Sequence, residues 1–258
     1  MGIAAFEWGN KKLTLLQNRD NFDSWQKKKR TINGAAWDGD NQILSGRLEP
    51  DGGTWFGISR RGRVAFLVDR MLFSVSTNCS SSLPMCFLQL DMSPEEFARQ
   101  LAQGNMLNAE TMAYNLIVAD ITLNSMFHIS RQHADARSPV ATAAVGFGVH
   151  VLSLGRLDAN FSQMIGDYED KEVPPLKEIS AKFMYDPVEN TEGNKLSAFF
   201  VDMKVRNVTN PERYREERRY RTTSTTALTV KPIMEVNFYE RYLEDGAWKH
   251  HDFTFNIA

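Results

Sequence analysis

An α+β fold dominated by antiparallel strands is predicted by three observations. Short apolar runs of strand length cluster at both ends of the chain, turn residues join neighbouring runs into hairpins, and between them stands a helix signal with both start and stop residues.

In chain order, Ile3–Trp8 and Leu13–Gln17, separated by Gly9-Asn10 and two lysines, read as a hairpin. The second run ends in Asn18, Arg19 and Asp20. A strand that carries amide, cation and carboxylate to its end either holds a site or leaves the core for solvent, and spacing alone favours solvent. Lys27–Arg30 is a basic run of a solvated loop, and Asp38–Asn41 is turn chemistry before a strand at Gln42–Ser45. Gly52, Gly53 and Gly57 frame Thr54, Trp55 and Phe56. In a strand the two aromatics point to opposite faces, one into the core and the other exposed or lining a cleft. A basic turn, Arg60-Arg61-Gly62-Arg63, precedes the apolar run Val64–Val68, and the serine-rich stretch Met71–Pro84 reads as a loop.

The helix signal is Ser93-Pro94-Glu95-Glu96: Ser93 caps, Pro94 takes the first helical position and Glu96 closes a capping box. The predicted helix, Pro94–Gln103, carries Phe97 and Leu101 on one face and ends at Gly104. Tyr114–Asp120 is a buried strand that pairs with Ser125–Ser130, and Gly146–Leu152 is another. Phe161, Met164, Ile165 and Tyr168 recur at helical spacing, so Leu157–Tyr168 reads as a helix with a core-facing stripe. Val173-Pro174-Pro175-Leu176 marks a loop or domain edge, and Lys204–Tyr220, dense in charges of both signs, a solvated loop. Thr222–Val230, Glu235–Tyr242 and Lys249–Ile257 close the chain as strands, with Asp245-Gly246 as the last hairpin turn.

With 258 residues, 42% of them hydrophobic, the chain is expected to form one domain over residues 1–258. A net charge of -2 argues against nucleic acid as the main partner. Cys79 and Cys86 stand at a spacing a disulfide could bridge, but only two cysteines suit a reducing compartment. No run reaches the roughly 20 apolar residues that span a bilayer. The start lacks a secretory signal, and the myristoylation pattern that Gly2 opens fails at Phe6. A cytoplasmic location is therefore expected, with mitochondria, plastid or Golgi as the organelles it could associate with. The sequons at Asn78, Asn160 and Asn207 are then expected to carry no glycan. None of His128, His133, His150, His250 and His251 forms an H-x-x-x-H pattern, so no metal site is expected.

Several blocks in order resemble the NRDE-domain family, also called the transport and Golgi organisation protein family, in its plant branch. They are the N-terminal MGIAAFEW, the tetrad Asn18-Arg19-Asp20-Asn21, the block Gly52 to Ser59, Gly62 to Leu67, Tyr114–Asp120, Gly148–Ser153, Tyr220–Lys231 and Glu235–His251. The resemblance implies stacked, mainly antiparallel sheets flanked by helices, the αββα architecture of N-terminal-nucleophile hydrolases. In those enzymes a cysteine exposed by removal of the initiator attacks an amide, with its own amine as base.

At the nucleophile position this chain has Gly2, and other site positions depart as well. Val68-Asp69 stands where the family has T-N, Leu152-Ser153-Leu154 where it has L-S-N, and Tyr220-Arg221-Thr222-Thr223 where it has Y-G-T-R. Arg19 and Asp20 alone keep the hydrolase pattern. The implied function is a non-catalytic binding and trafficking protein for haem or a related amphipathic metabolite, with no resident metal and with membrane or protein partners in reserve. The residues expected to line its site are Gly2, Asn18, Arg19, Asp20, Trp55, Arg63, Asp69 and His150. Asp69 is the expected ion-pair partner of Arg19 if no ligand claims that cation. The alternatives are an amide or acyl hydrolase using Ser24, Thr54 or Ser59, and a membrane-organising scaffold anchored through an exposed Trp8 or Trp25.

Overall fold

The computed structural model describes residues 2–22, 32–48, 53–69, 82–106, 113–133, 135, 138–153, 157–158, 175–184, 200–206 and 217–258. The first sheet is built from β1 (Gly2–Gly9), β2 (Lys12–Phe22), β10 (Gly148–Leu152), β11 (Leu157–Asp158), β12 (Asp202–Arg206), β13 (Glu217–Val230), β14 (Glu235–Glu244) and β15 (Ala247–Asn256). Its order is β11-β10-β1-β2-β13-β14-β15, with β12 beside the start of β13. The second sheet runs β3 (Ile32–Trp37), β4 (Ile43–Leu48), β5 (Phe56–Ser59), β6 (Arg63–Asp69), β7 (Tyr114–Asp120), β8 (Ser125–Arg131) and β9 (Val140–Ala144). Every described strand pair is antiparallel.

Strand alternation sorts the apolar residues into layers. Phe6, Trp8, Leu13, Leu15, Leu228 and Phe238 of the first sheet meet Phe56, Val64, Phe66, Val68 and Ile117 of the second in the central core. The opposite face of the second sheet, through Ala65, Leu67, Leu116 and Val118, is covered by α1 (Ser82–Gln89) and α2 (Pro94–Ala102). The outer face of the first sheet, at Leu16, Ala227 and Tyr239, receives Ile179 of α3 (Leu176–Met184). The layers therefore run helix, sheet, sheet, helix, the αββα order expected.

Several local expectations are corrected. β2 does not end at Gln17 but continues to Phe22, paired on one side by β1 and on the other by β13, so Asn18, Arg19 and Asp20 lie inside a central strand. Trp55 and Phe56 are both buried in the inter-sheet core, because Trp55 sits in a bend before β5, where strand alternation does not apply. Ser82–Pro84 belong to α1 rather than to a loop, and Cys86 in that helix carries a free thiol; Cys79 lies outside the described residues. Ser93 caps α2 by accepting from the Glu96 amide at 3.2 Å. The Glu96 carboxylate, however, turns to Arg99 and Gln100 instead of closing a box. Leu157–Asp158 is a strand, Leu176 begins a helix, and Asp202–Arg206 with Glu217–Tyr220 are strands. The remainder of the predicted 157–168 helix lies outside the described residues. Trp8 is buried, and Trp25 lies outside the described residues.

Candidate functional site

Gly2 opposes Arg19 in the β1–β2 ladder, and Arg19 opposes Ser224 in the ladder between β2 and β13. A Cβ at Gly2 would lie 2.0 Å from the Asn18 carbonyl oxygen, so this backbone position holds a residue without a side chain. Arg19 faces the second sheet, its guanidinium carbon 4.3 Å from the centre of the Trp55 ring. Stacking a planar, weakly hydrated cation on an indole is the arrangement that lets arginine stay buried. Two positions along the same face, Gln17 donates to the Leu67 carbonyl of β6 at 3.0 Å and ties the sheets together.

The other predicted site residues go elsewhere, so the eight form no single cluster. Asn18 and Asp20 alternate onto the outer face of the first sheet, away from Trp55. There Asn18 Oδ1 accepts from the Thr225 hydroxyl at 2.6 Å, and Asp20 Oδ1 from the Thr222 hydroxyl at 2.8 Å. Burial pushes the Asp20 pKa up, against the pull of that hydroxyl. Arg63 sits under α1, where it donates to the Phe87 carbonyl at 2.8 and 3.1 Å and stacks on the Phe87 ring. It caps the carbonyl end of that helix, a packing role. His150 stacks on Phe6, and its Nε2 lies 2.8 Å from the Gly146 carbonyl. Its ladder partner Phe6 is four positions from Gly2, about 13 Å along the strand. The side chain of Asp69 and residue Leu154 lie outside the described residues.

The alternative nucleophiles fare similarly. Thr54 Oγ1 donates to the Phe56 carbonyl at 2.6 Å, Ser59 Oγ accepts from the Arg63 amide at 3.2 Å, and Ser24 lies outside the described residues. Of the strand histidines, His128 is held neutral: burial lowers its pKa to about 4, and its Nε2 lies 3.0 Å from Asn115 Oδ1. Groups of three or more potential metal-ligating side chains are absent among the described residues.

Sequence reasoning passed over Glu240. Val236, Phe238 and Glu240 alternate onto the inner face of β14, so the period of two placed this carboxyl in the core. Its two oxygens accept from the Ala35 amide at 2.5 Å and the Ser224 hydroxyl at 3.0 Å. Burial raises its pKa to about 7. The Ala35 peptide can make this bond because the β3–β4 register shifts between Asn33 and Ala36. The Ala35 carbonyl takes a bond from His251 Nδ1 at 2.9 Å, and Nε2 of the same ring lies 3.1 Å from the Tyr242 hydroxyl.

A cavity of about 360 Å³ opens on the outer face of the first sheet, against the start of α3. Pro175, Leu176 and Pro232 give it apolar side chains over the outward-facing Thr14, Thr229 and Thr254, while Lys12, Lys177 and Lys231 bring ammonium groups to it, with Asp252 also lining it. Its volume falls in the range of small-molecule sites, roughly 300–1,000 Å³. Its residues come from four strands and a helix, none of them in the predicted set.

A family model described as Transport and Golgi organisation 2 matches residues 1–245. Proteins called Transport and Golgi organization protein 2 homolog, from Bos taurus and Homo sapiens, are 32% and 31% identical over 117 residues. Each match spans 43% of this chain and 40% of the relative's own length. Among solved structures, a conjugated bile acid hydrolase variant from Clostridium perfringens is 12% identical with a TM-score of 0.46, covering 100% of this chain and 97% of the other. An N-acylethanolamine-hydrolyzing acid amidase ortholog from Caenorhabditis elegans is 12% identical with a TM-score of 0.43, covering 84% and 98%.

Proposed function

The chain belongs to the Transport and Golgi organisation 2 family, and from that premise we propose that it is a non-catalytic binding and trafficking protein for haem or a related amphipathic anion. The observation that carries the reading is the cavity beside α3, where the apolar side chains of Pro175, Leu176 and Pro232 and three lysines suit an amphipathic body with carboxylates at its edge. Lys12 and Lys231 already bond Glu7 at 2.8 Å and Glu235 at 2.6 Å, but ion pairs this exposed exchange at little cost. The three lysines would hold the ligand through its periphery, a weak and reversible mode that suits transfer.

The crowding at Gly2 supports the non-catalytic half, since a side-chain nucleophile there would displace the Asn18 carbonyl. A cytoplasmic location with association to an organelle goes with this reading; among the described residues no helix is long and apolar enough to cross a membrane.

Titration with haemin, followed in the Soret band, tests it. Saturable binding that weakens about tenfold in Lys177→Glu/Lys231→Glu is expected, each lysine contributing roughly a charge-assisted contact. Saturable binding unaffected by those changes would move the ligand elsewhere, and the absence of binding by haemin and by long-chain acyl carboxylates would remove the proposal.

A further inference from the structure

The end of the sandwich opposite Gly2 is made of turns, and backbone and side-chain hydrogen bonds lock them into one surface. The Asn10-Lys11 turn bonds the 121–124 turn, with Asn124 Oδ1 accepting from the Lys11 amide at 2.6 Å and Asn124 Nδ2 donating to Asn10 Oδ1 at 2.9 Å. The Ile121 amide donates to the Gly62 carbonyl at 2.9 Å, and the Ile257 amide to the Met234 carbonyl at 2.9 Å. Gly148, next to Phe147, opposes Trp8 in the ladder, and the Trp8 and Phe147 rings meet at 5.8 Å.

Four large apolar side chains are exposed among the described residues, and three of them sit on these turns: Leu123 at 61%, Phe147 at 60% and Ile233 at 74%. They stand on three separate tips rather than in one groove. Separate tips on a rigid scaffold suit an interface that yields around each, as the headgroup and acyl boundary of a bilayer does.

Charge selects among such surfaces. On the turns that carry or adjoin these side chains the exposed or half-exposed charges are Lys11, Lys12, Arg60, Arg61 and Lys231. Glu7 and Glu235 lie back on β1 and β14, each bonded to one of those lysines. Asp120 is buried and spends Oδ1 on the Thr122 and Leu123 amides and the Thr122 hydroxyl, so it shapes the turn. The carboxylates Asp38 and Asp40 occupy the turn after β3, and β4, β5 and β6 separate β3 from β7.

We infer that this end docks on an anionic lipid bilayer, with Leu123, Phe147 and Ile233 entering the interface and Lys11, Lys12 and Lys231 meeting the headgroups. Docking in this orientation holds Gly2 and Arg19 at the far end, while the cavity, which Lys12, Lys231 and Pro232 line, opens beside the membrane.

Cosedimentation of the full chain with vesicles of phosphatidylcholine, alone or mixed with phosphatidylserine, tests the inference. Binding to the mixed vesicles is expected. It should weaken at least tenfold in Leu123→Ser/Phe147→Ser/Ile233→Ser, and Lys11→Glu/Lys231→Glu should lose the preference for phosphatidylserine. All substitutions are at exposed turns, and an unchanged melting temperature checks that the variants are folded. A parent chain that stays in the supernatant with mixed vesicles, or a folded serine variant that binds as the parent does, overturns it. Self-association of the parent that the serine variant abolishes, without vesicle binding, would give the tips to a protein contact and likewise overturn it.

Discussion

Replacing Glu240 by glutamine should remove a pH dependence of stability that the wild-type chain carries. The folded-state pKa of this carboxyl is raised from 4.5 to about 7 by burial. A raised acid pKa means that between these values the folded protein keeps a proton the unfolded chain has released. The associated stability is complete below pH 4.5 and is lost as pH rises through 7. At 1.36 kcal/mol per pKa unit the difference is about 3 kcal/mol, or roughly 6–12 °C in melting temperature for a chain of this size.

Glutamine copies the protonated acid. Its carbonyl accepts from the Ala35 amide, and its NH2 donates to Ser224 Oγ, whose hydroxyl hydrogen turns away. His251, bonded to the Ala35 carbonyl on the next peptide unit, is untouched by the change, so the difference between the two proteins isolates Glu240. Thermal melts of both from pH 5 to pH 8.5 should coincide near pH 5 and diverge with rising pH, the glutamine variant melting higher. Parallel curves would refute the reasoning and show that Glu240 is ionised in the folded protein across the range.

Gly2→Cys is expected to show no turnover of N-acyl amide substrates and to lose about 1–3 kcal/mol of stability, because its Cβ must push β1 from the Asn18 carbonyl; robust hydrolysis by a stable variant would reverse the assignment of that position. Arg19→Ala should cost about 2 kcal/mol through the lost stack on Trp55, read as a lower melting temperature, and leave haemin affinity within twofold; lost affinity at an unchanged melting temperature would instead put the ligand between the sheets.

The amino-acid sequence by itself determined the strands at both ends of the chain, the capped helix at Pro94 and the hairpin turn at Asp245-Gly246, because propensity, alternation and turn chemistry act between near neighbours. Alternation also put Arg19 and Asp20 on opposite faces of one strand, whatever lay on either side. Tertiary structure decided the rest. α1 and α3 are short helices whose apolar positions gain their meaning from the sheets they cover, so Ser82–Pro84 and Leu176 read as loop. Arg19 came to rest on Trp55, Arg63 on the last turn of α1 and His150 on Phe6, since each buried polar group takes whichever partner the distant strands bring to its face. Glu240 was placed in the core by its period, but its pKa depends on the Ala35 peptide, 205 residues away in sequence, and on the water that packing excludes. The cavity joins Lys12 to Lys177 and Lys231, a set that no spacing along the chain encodes. Faces follow from local geometry, but what meets across them follows from the pairing of strands far apart in sequence.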